Sequence, residues 1–346
     1  MPGIREVAEQ ARVSTATVSR VLSGSKAVSE QSRTKVLDAA NRVGYFAENR
    51  VMANIAVAYF GRPCFDSPFD TALWDGLSEA AAETQFNLVA INANRVRREG
   101  QSFTDAFRHA GVHAAIVRSV SSMTREANEL LGEGFPCVVV ADRESEGRVD
   151  RVYSYSRPTS VLAIQHLIDL GHTRIALGIS DMIDSDHADR HDGYREGLEN
   201  NGLKYDGRYV LQVPPKLEGG RQLLRHFMSM RKRPTAVFVA DPMVAVGLMN
   251  EATRLGVDLP EQLSVVGFDD SKLRYMVHPA MSAVCQDAYM LGMQAFRMLL
   301  SPGDGPEPRK QVLPTWFDIQ RSTGRPPEQP YRLLPDHSRI EDEEQA

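Results

Sequence analysis

The sequence contains no uninterrupted apolar run near the roughly 18 residues that would span a bilayer, so no membrane helix and no membrane partner are expected. Cysteine is scarce. Cys64, Cys137 and Cys285 are odd in number and far apart, which supplies neither a disulfide framework nor a metal-ligand spacing and suits a reducing compartment. Three signatures of chemistry are also missing: a Gly-x-Gly-x-x-Gly turn for a dinucleotide, a Gly-x-x-x-x-Gly-Lys-Ser/Thr loop for a phosphate, and a Gly-x-Ser-x-Gly nucleophile elbow. An enzyme is therefore not expected, and neither a cofactor nor a bound metal is called for. Arg5, Glu6 and Glu9 interrupt Met1 to Gln10, which leaves no secretory signal to read, so the expected location is the cytoplasm. No tandem repeat occurs.

What the 346 residues do contain is an average globular composition, 42% hydrophobic and 25% charged, in a chain long enough for two or three domains. Charge is unevenly placed. Residues 1–50 hold eight Lys and Arg against five Asp and Glu, so that segment is +3 in a chain of net −5, and the remainder is −8. A basic head on an acidic body points to one anionic partner met at one end.

The head reads as three short helices. Ile4, Val7, Ala8 and Ala11 make one apolar stripe at helical spacing. After a turn at Arg12 and Val13, Ser14 is placed to cap a second helix with Val18, Val21 and Leu22 inward, and Gly24 to stop it. Ser29 is placed to cap a third, with Val36, Ala39, Ala40 and Val43 inward and Gly44 at its end. This is helix-turn-helix architecture. Thr15 and Ala16 would occupy the exposed first turn of the recognition helix, with Thr17, Ser19 and Arg20 along it. Small hydroxylated residues let a helix approach DNA, and Arg can bond a guanine edge in two places at once. An ordinary helical hairpin with a solvated polar face is the alternative.

From Ile55 onward, short apolar runs alternate with helical stretches: Ile55–Phe60, Phe86–Ile91, Ala114–Val117 and Cys137–Ala141, then Arg174–Ile179, Tyr209–Val213, Ala236–Val239 and Leu263–Phe268. Runs that are apolar throughout suit parallel strands buried on both faces, so two α/β lobes are expected. In such sheets ligands sit beyond the carboxyl ends of strands, where Asp241 and Asp269 fall. Either Asp could instead be a plain N-cap, and the stretch Asp181–Asp192 reads as a solvated loop beside the cleft, with metal binding through His187 and His191 at i, i+4 as the alternative.

Further motifs follow the head in order: Ser67-Pro68-Phe69, Pro136 to Arg143, Leu170-Gly171-His172-Thr173-Arg174, Arg190-His191-Asp192-Gly193-Tyr194, Val265 to Asp270, and Arg321-Ser322-Thr323-Gly324. Together they resemble the LacI/GalR family of bacterial transcription regulators up to about residue 325. The resemblance implies an α/β fold class: an N-terminal three-helix helix-turn-helix head and a two-lobed periplasmic-binding-protein-like core of parallel sheets. It also implies a repressor, a homodimer on a pseudo-palindromic double-stranded DNA operator, and a small polar, sugar-like effector between the lobes. By matching positions, Phe69 and Asp70 line the cleft from one lobe, and Arg190, Asp241 and Asp269 face them. Phe69 as a plain core residue is the alternative.

The chain departs from the family pattern where coupling occurs. After Tyr45 the family's Pro-Asn and the hinge-ending Leu are absent, replaced by Phe46 to Asn54, so Asn49, Arg50, Val51 and Met52 form an atypical hinge in which Val51 or Met52 would supply any minor-groove wedge. The family's Asn-Asp pair is Ala240-Asp241. The expected boundaries are a helix-turn-helix domain at 1–46, a shortened hinge at 47–54, an effector-binding and dimerisation core at 55–325, and a flexible acidic tail at 326–346. A metabolite-binding protein or α/β enzyme with a helical appendage is the competing reading.

Overall fold

The computed structural model describes residues 3–22, 28–43, 45, 53–60, 67–118, 124–143, 148–180, 184–301, 307–334 and 338–341. The expected hinge residues Asn49, Arg50, Val51 and Met52, and the helix stops Gly24 and Gly44, lie outside them.

The head is α1 (Ile4–Ala11), α2 (Thr15–Leu22) and α3 (Glu30–Arg42). Arg12 takes a left-handed conformation (φ 55°) that closes α1, and two residues later the Ser14 hydroxyl accepts from the Thr17 N–H at 3.1 Å, opening α2. Val7, Ala8, Ala11, Val18, Val21, Val36, Ala39 and Ala40 are buried together, which is the core the spacing predicts. The head also touches the first lobe, because Arg108 donates to Asp38 on α3 at 2.8 Å.

The first lobe is built on β1 (Asn54–Tyr59), α4 (Pro68–Ala82), β2 (Asn87–Asn92), α5 (Ala93–Val96), α6 (Phe103–His109), β3 (Val112–Arg118), α7 (Thr124–Gly132), β4 (Cys137–Val140) and β5 (Asp150–Ser154). The chain then crosses into the second lobe through α8 (Arg157–Asp169), β6 (Ile175–Ser180), α9 (Ser185–Asn200), β7 (Val210–Val213), α10 (Leu217–Ser229), β8 (Ala236–Val239), α11 (Pro242–Leu255), β9 (Ser264–Asp269) and β10 (Ser282–Cys285). It returns as α12 (Ala288–Leu300) and β11 (Lys310–Leu313), then ends in the second lobe with β12 (Trp316–Asp318) and the pair β13 (Tyr331–Leu333) and β14 (Arg339–Glu341). The two six-stranded sheets have the orders β11-β5-β4-β3-β1-β2 and β12-β10-β9-β8-β6-β7. All pairings within them are parallel except β10 with β12. Among the described residues no helix is long and apolar enough to cross a membrane.

The returning α12 packs into the first-lobe core. It packs on α4 so closely that a Cβ on Gly292 would lie 2.2 Å from the Leu73 carbonyl oxygen, and one on Gly76 would lie 1.8 Å from that of Tyr289. Backbone cannot retreat as a side-chain tip can. Gly292→Ala is therefore expected to cost about 1–3 kcal/mol by overpacking, read as a lower urea midpoint with unchanged slope.

Two expectations need correction. The tail is not free along its length, because Tyr331 and Leu333 are buried against the second-lobe core and the buried Arg233 donates to the Tyr331 carbonyl at 2.7 Å. Alternation of Tyr331 and Leu333 outweighs a Pro- and acid-rich composition once β14 pairs with that strand. Nor is 184–192 a solvated loop. Asp184 accepts from the His187 N–H at 2.8 Å and caps α9, which begins at Ser185 and runs through this stretch.

Candidate functional site

The two sheets direct their carboxyl ends toward each other, and a cavity of about 520 Å³ lies between them. From the first lobe it receives the opening turn of α4, held by the Ser67 side chain, and the last residue of β3. From the second it receives the start of α9 after β6, the start of α11 after β8, and the residue following β9. Phe69, Asp70, Arg190 and Asp241 all line it. Asp269 does not border it.

Asp70 is buried and sits 3.4 Å from the Arg118 Nε, while the Tyr59 hydroxyl donates to it at 3.2 Å and the Trp74 indole donates to Tyr59 at 2.9 Å. Burial, reinforced by the Asp70 charge, pushes the Tyr59 phenol well above its ordinary value, so it stays a donor. Arg118 also lies over the Phe69 ring, 4.6 Å from its centroid. Phe69 is thus both packed in the first-lobe core and a wall of the cavity. Arg118 escaped the sequence reading, although a charged residue closing the apolar run Ala114–Val117 was a usable signal.

Across the cavity, Arg190 is buried and fixed on three sides. It donates to the Ala240 carbonyl at 2.7 Å, stacks 3.5 Å above the Phe268 ring centre, and lies 3.8 Å from the Asp186 carboxylate. Asp241 caps α11, accepting from the Val244 N–H at 3.1 Å, and also borders the cavity. The two sequence alternatives for this residue, cap and cleft wall, both hold geometrically. Asp184, Asp186 and His187 complete this side.

Asp269 is 1% exposed and turned into the protein. It accepts from the Ser271 and Leu273 amides at 3.1 and 3.0 Å, and from the Arg274 amide and guanidinium at 3.3 and 2.6 Å. Its two oxygens are consumed by the turn after β9. The cavity-facing carboxylate is its neighbour Asp270, which accepts from Gln286 Nε2 at 2.6 Å. The Asp269-Asp270 doublet was visible in sequence; which member faces inward depends on the turn, which only the structure supplies.

The buried carboxylates differ in ionisation. Burial opposes charge on Asp184, but hydrogen bonding and charge from His187, with help from Arg190, outweigh it and hold this carboxyl below the usual range. Burial pushes Asp186 up to about 7 despite Arg190, with Asp184 adding to the rise. Asp270 is pushed up to about 6, again by burial first, which outweighs the charge of Arg190 and the Gln286 hydrogen bond, with Asp269 and Asp241 repelling its charge. A carboxyl raised on folding favours the folded state below the usual carboxylate range, and that contribution is lost as pH rises through the raised value. Unliganded protein is therefore expected to lose stability from about pH 4 to about pH 7 through these groups, with Asp270 contributing on the order of 1–3 kcal/mol. Asp270→Asn should flatten that slope in urea titrations, and an unchanged slope would refute the assignment.

On the head, Ser14, Thr15, Ala16, Ser19 and Arg20 are exposed, Thr17 is half-buried, and Val18 and Val21 point inward. The N-terminal turn of α2 is thus presented outward with short side chains.

Comparison with known proteins agrees with both halves. Residues 3–48 match the profile described as bacterial regulatory proteins, lacI family, and residues 164–323 match the periplasmic binding protein-like domain. Catabolite control protein A of Priestia megaterium is 29% identical over 302 residues, 86% of this chain and 91% of that protein. The transcriptional regulator GalR of Escherichia coli is 30% identical over 310 residues, 88% of this chain and 90% of that one. Among solved structures, a complex of the transcriptional regulator CelR with cellobiose superposes with a TM-score of 0.68 at 26% identity, covering 93% of this chain and all of the other.

Proposed function

Because the chain belongs to the LacI family of bacterial regulatory proteins, and is a DNA-binding transcriptional regulator rather than an enzyme, we propose that it acts in the cytoplasm as a repressor. It reads a pseudo-palindromic operator as a homodimer and changes its hold on that operator when a small polar, sugar-like metabolite enters between the lobes. The observation that carries this reading is the outward face of α2: Ser14, Thr15, Ala16, Ser19 and Arg20 are exposed on a helix whose opposite side is buried. That is the geometry a major groove accepts, with Thr17 supporting the turn through its 2.9 Å contact to Ser14.

Phe69, Asp70, Arg190 and Asp241 are the effector contacts in this reading, joined by Arg118, Asp186, His187 and Asp270. Asp269 holds the turn that presents Asp270 and is not itself a contact. An effector shifts operator affinity only by its differential affinity for two core states. With the hinge shortened, the route favoured is a change in the spacing of the two heads, and the Arg108–Asp38 pair between α6 and α3 is the contact that would transmit lobe movement to a head. Replacing residues 45–54 by a flexible linker should then leave operator binding intact while weakening the effector response.

The test is selection of bound fragments from a random DNA pool with the full-length protein. Enrichment of a short pseudo-palindrome, with affinity falling steeply as salt is added, is expected; unselected binding or a flat salt response would refute the reading.

A further inference from the structure

Resting on that reading of the cleft, we infer that the effector is a polyhydroxyl compound bearing a protonated amine, of the amino-sugar class, with its ammonium group held between Asp241 and Asp270. The argument begins with how the cavity's charges are paired. Asp70 has Arg118, and Asp184 has His187, whose Nδ1 lies 2.7 Å from the carboxylate. Asp186 has Arg190, which is already committed to the Ala240 carbonyl and to the Phe268 ring. Asp241 and Asp270 remain. They follow the adjacent strands β8 and β9, each repels the other's charge, and among the described residues neither has an ion-pair partner within 4.0 Å. Lys216 borders the cavity, but it sits on the exposed rim, where water and salt screen it.

A neutral sugar would leave the buried Asp270 and the half-buried Asp241 without a direct ion-pair partner, Arg190 acting on Asp270 only from beyond 4.0 Å, since a hydroxyl donates a hydrogen bond but carries no charge. A ligand ammonium supplies three donors and the missing charge together. Each carboxylate keeps a use for one oxygen: Asp241 Oδ1 caps α11 and Asp270 Oδ1 takes the Gln286 amide.

An independent feature shows that the cavity awaits a ligand and not only a counter-ion. His187 is 8% exposed, and its Nε2, on the ring that lines the cavity, has no hydrogen-bond partner among the described residues. Its Nδ1 is turned to Asp184, which leaves the unpartnered Nε2 to bond a ligand hydroxyl, a group that both donates and accepts. Arg190 Nε is likewise buried without a partner, and it is a donor for a ligand oxygen. The site therefore offers an unpartnered ring nitrogen, a guanidinium donor and a pair of anions, which an aminated polyol satisfies and a bare diamine does not.

The experiment is titration calorimetry and thermal shift of the full-length protein with matched sets at pH 7: glucosamine, glucose and N-acetylglucosamine, then galactosamine, galactose and N-acetylgalactosamine. The amine of at least one set is expected to bind about 10-fold or more tightly than both neutral members, the loss associated with removing a charged hydrogen bond. Asp270→Asn and Asp241→Asn, which keep the Gln286 and helix-cap acceptors, should each erase that preference. His187→Gln should weaken every member of the set equally. Equal or tighter binding of a neutral member, no binding by either amine, or a preference that survives in both Asn variants overturns the inference. A neutral sugar that releases the selected operator would remove only the amine and leave the regulator standing, whereas a protein that selects no operator fails the underlying reading whatever the sugars do.

Discussion

Asp269→Ala is expected to lower the unfolding free energy by about 3–5 kcal/mol, the range for removing one partner of a buried ion pair. The Asp269 carboxylate is out of contact with water, and the Arg274 side chain that donates to it is 9% exposed. Losing it orphans that donor together with the Ser271, Leu273 and Arg274 amides. Arg274 would keep Asp318 at 2.6 Å, so the final crossing strand β12 would be held by one anchor instead of two linked ones. The paired control is Asp270→Asn, one residue along, which should leave stability at pH 5 nearly unchanged because that carboxyl is largely protonated there. Urea unfolding of both variants distinguishes the two roles. A loss below about 1 kcal/mol for Asp269→Ala would place its carboxylate outside the structural network, given the usual cost of even a neutral hydrogen bond.

That contrast marks where sequence reading stops. The head was legible because it folds through local chemistry: the Ser14 cap, the stripe Val7, Ala8, Ala11 and the inward pair Val18 and Val21 are all set within a few residues. The parallel strands were legible because burial on both faces leaves them apolar throughout, as in Ile55 to Tyr59 and Ala236 to Val239. The return helix α12, with Gly292 against Leu73, was not, because nothing near Ala288 reveals that the chain re-enters the first lobe. The tail misled for the same reason, since the partner that buries Leu333 lies far upstream in the second-lobe core. In the cleft, positions matched by motif were brought together at Phe69, Asp70, Arg190 and Asp241. Orientation within the doublet, and the contributions of Arg118, Asp186 and His187, required the three-dimensional neighbours. Some motif residues proved to be ties within the fold: His172 contacts Thr235 at 2.8 Å and the Gly324 carbonyl at 2.9 Å, joining two of the quoted motifs inside the second lobe.

Arg20→Ala is expected to produce the largest change in function. An arginine bonding a guanine edge in two places discriminates by about 1–3 kcal/mol, and the proposed homodimer would present that contact once per half-site, so operator affinity should fall by about 2–6 kcal/mol. Binding to unrelated DNA should fall far less, because it is carried by phosphate contacts and counterion release. Arg20→Lys separates charge from geometry: it keeps the positive charge but loses the planar fork, and should restore the weak binding without the sequence preference. Ser14 and Thr15 are expected to behave differently from Arg20. Their exposed hydroxyls are placed for backbone contact at the opening of α2, so Thr15→Val should weaken all sequences alike and leave the preferred bases unchanged. The measurement is competitive binding of each variant to the selected operator and to a scrambled duplex across a salt series. If Arg20→Ala lowers both affinities equally and makes the salt dependence shallower by about one unit, Arg20 holds a phosphate, and the base contact must be sought elsewhere on the exposed face of α2.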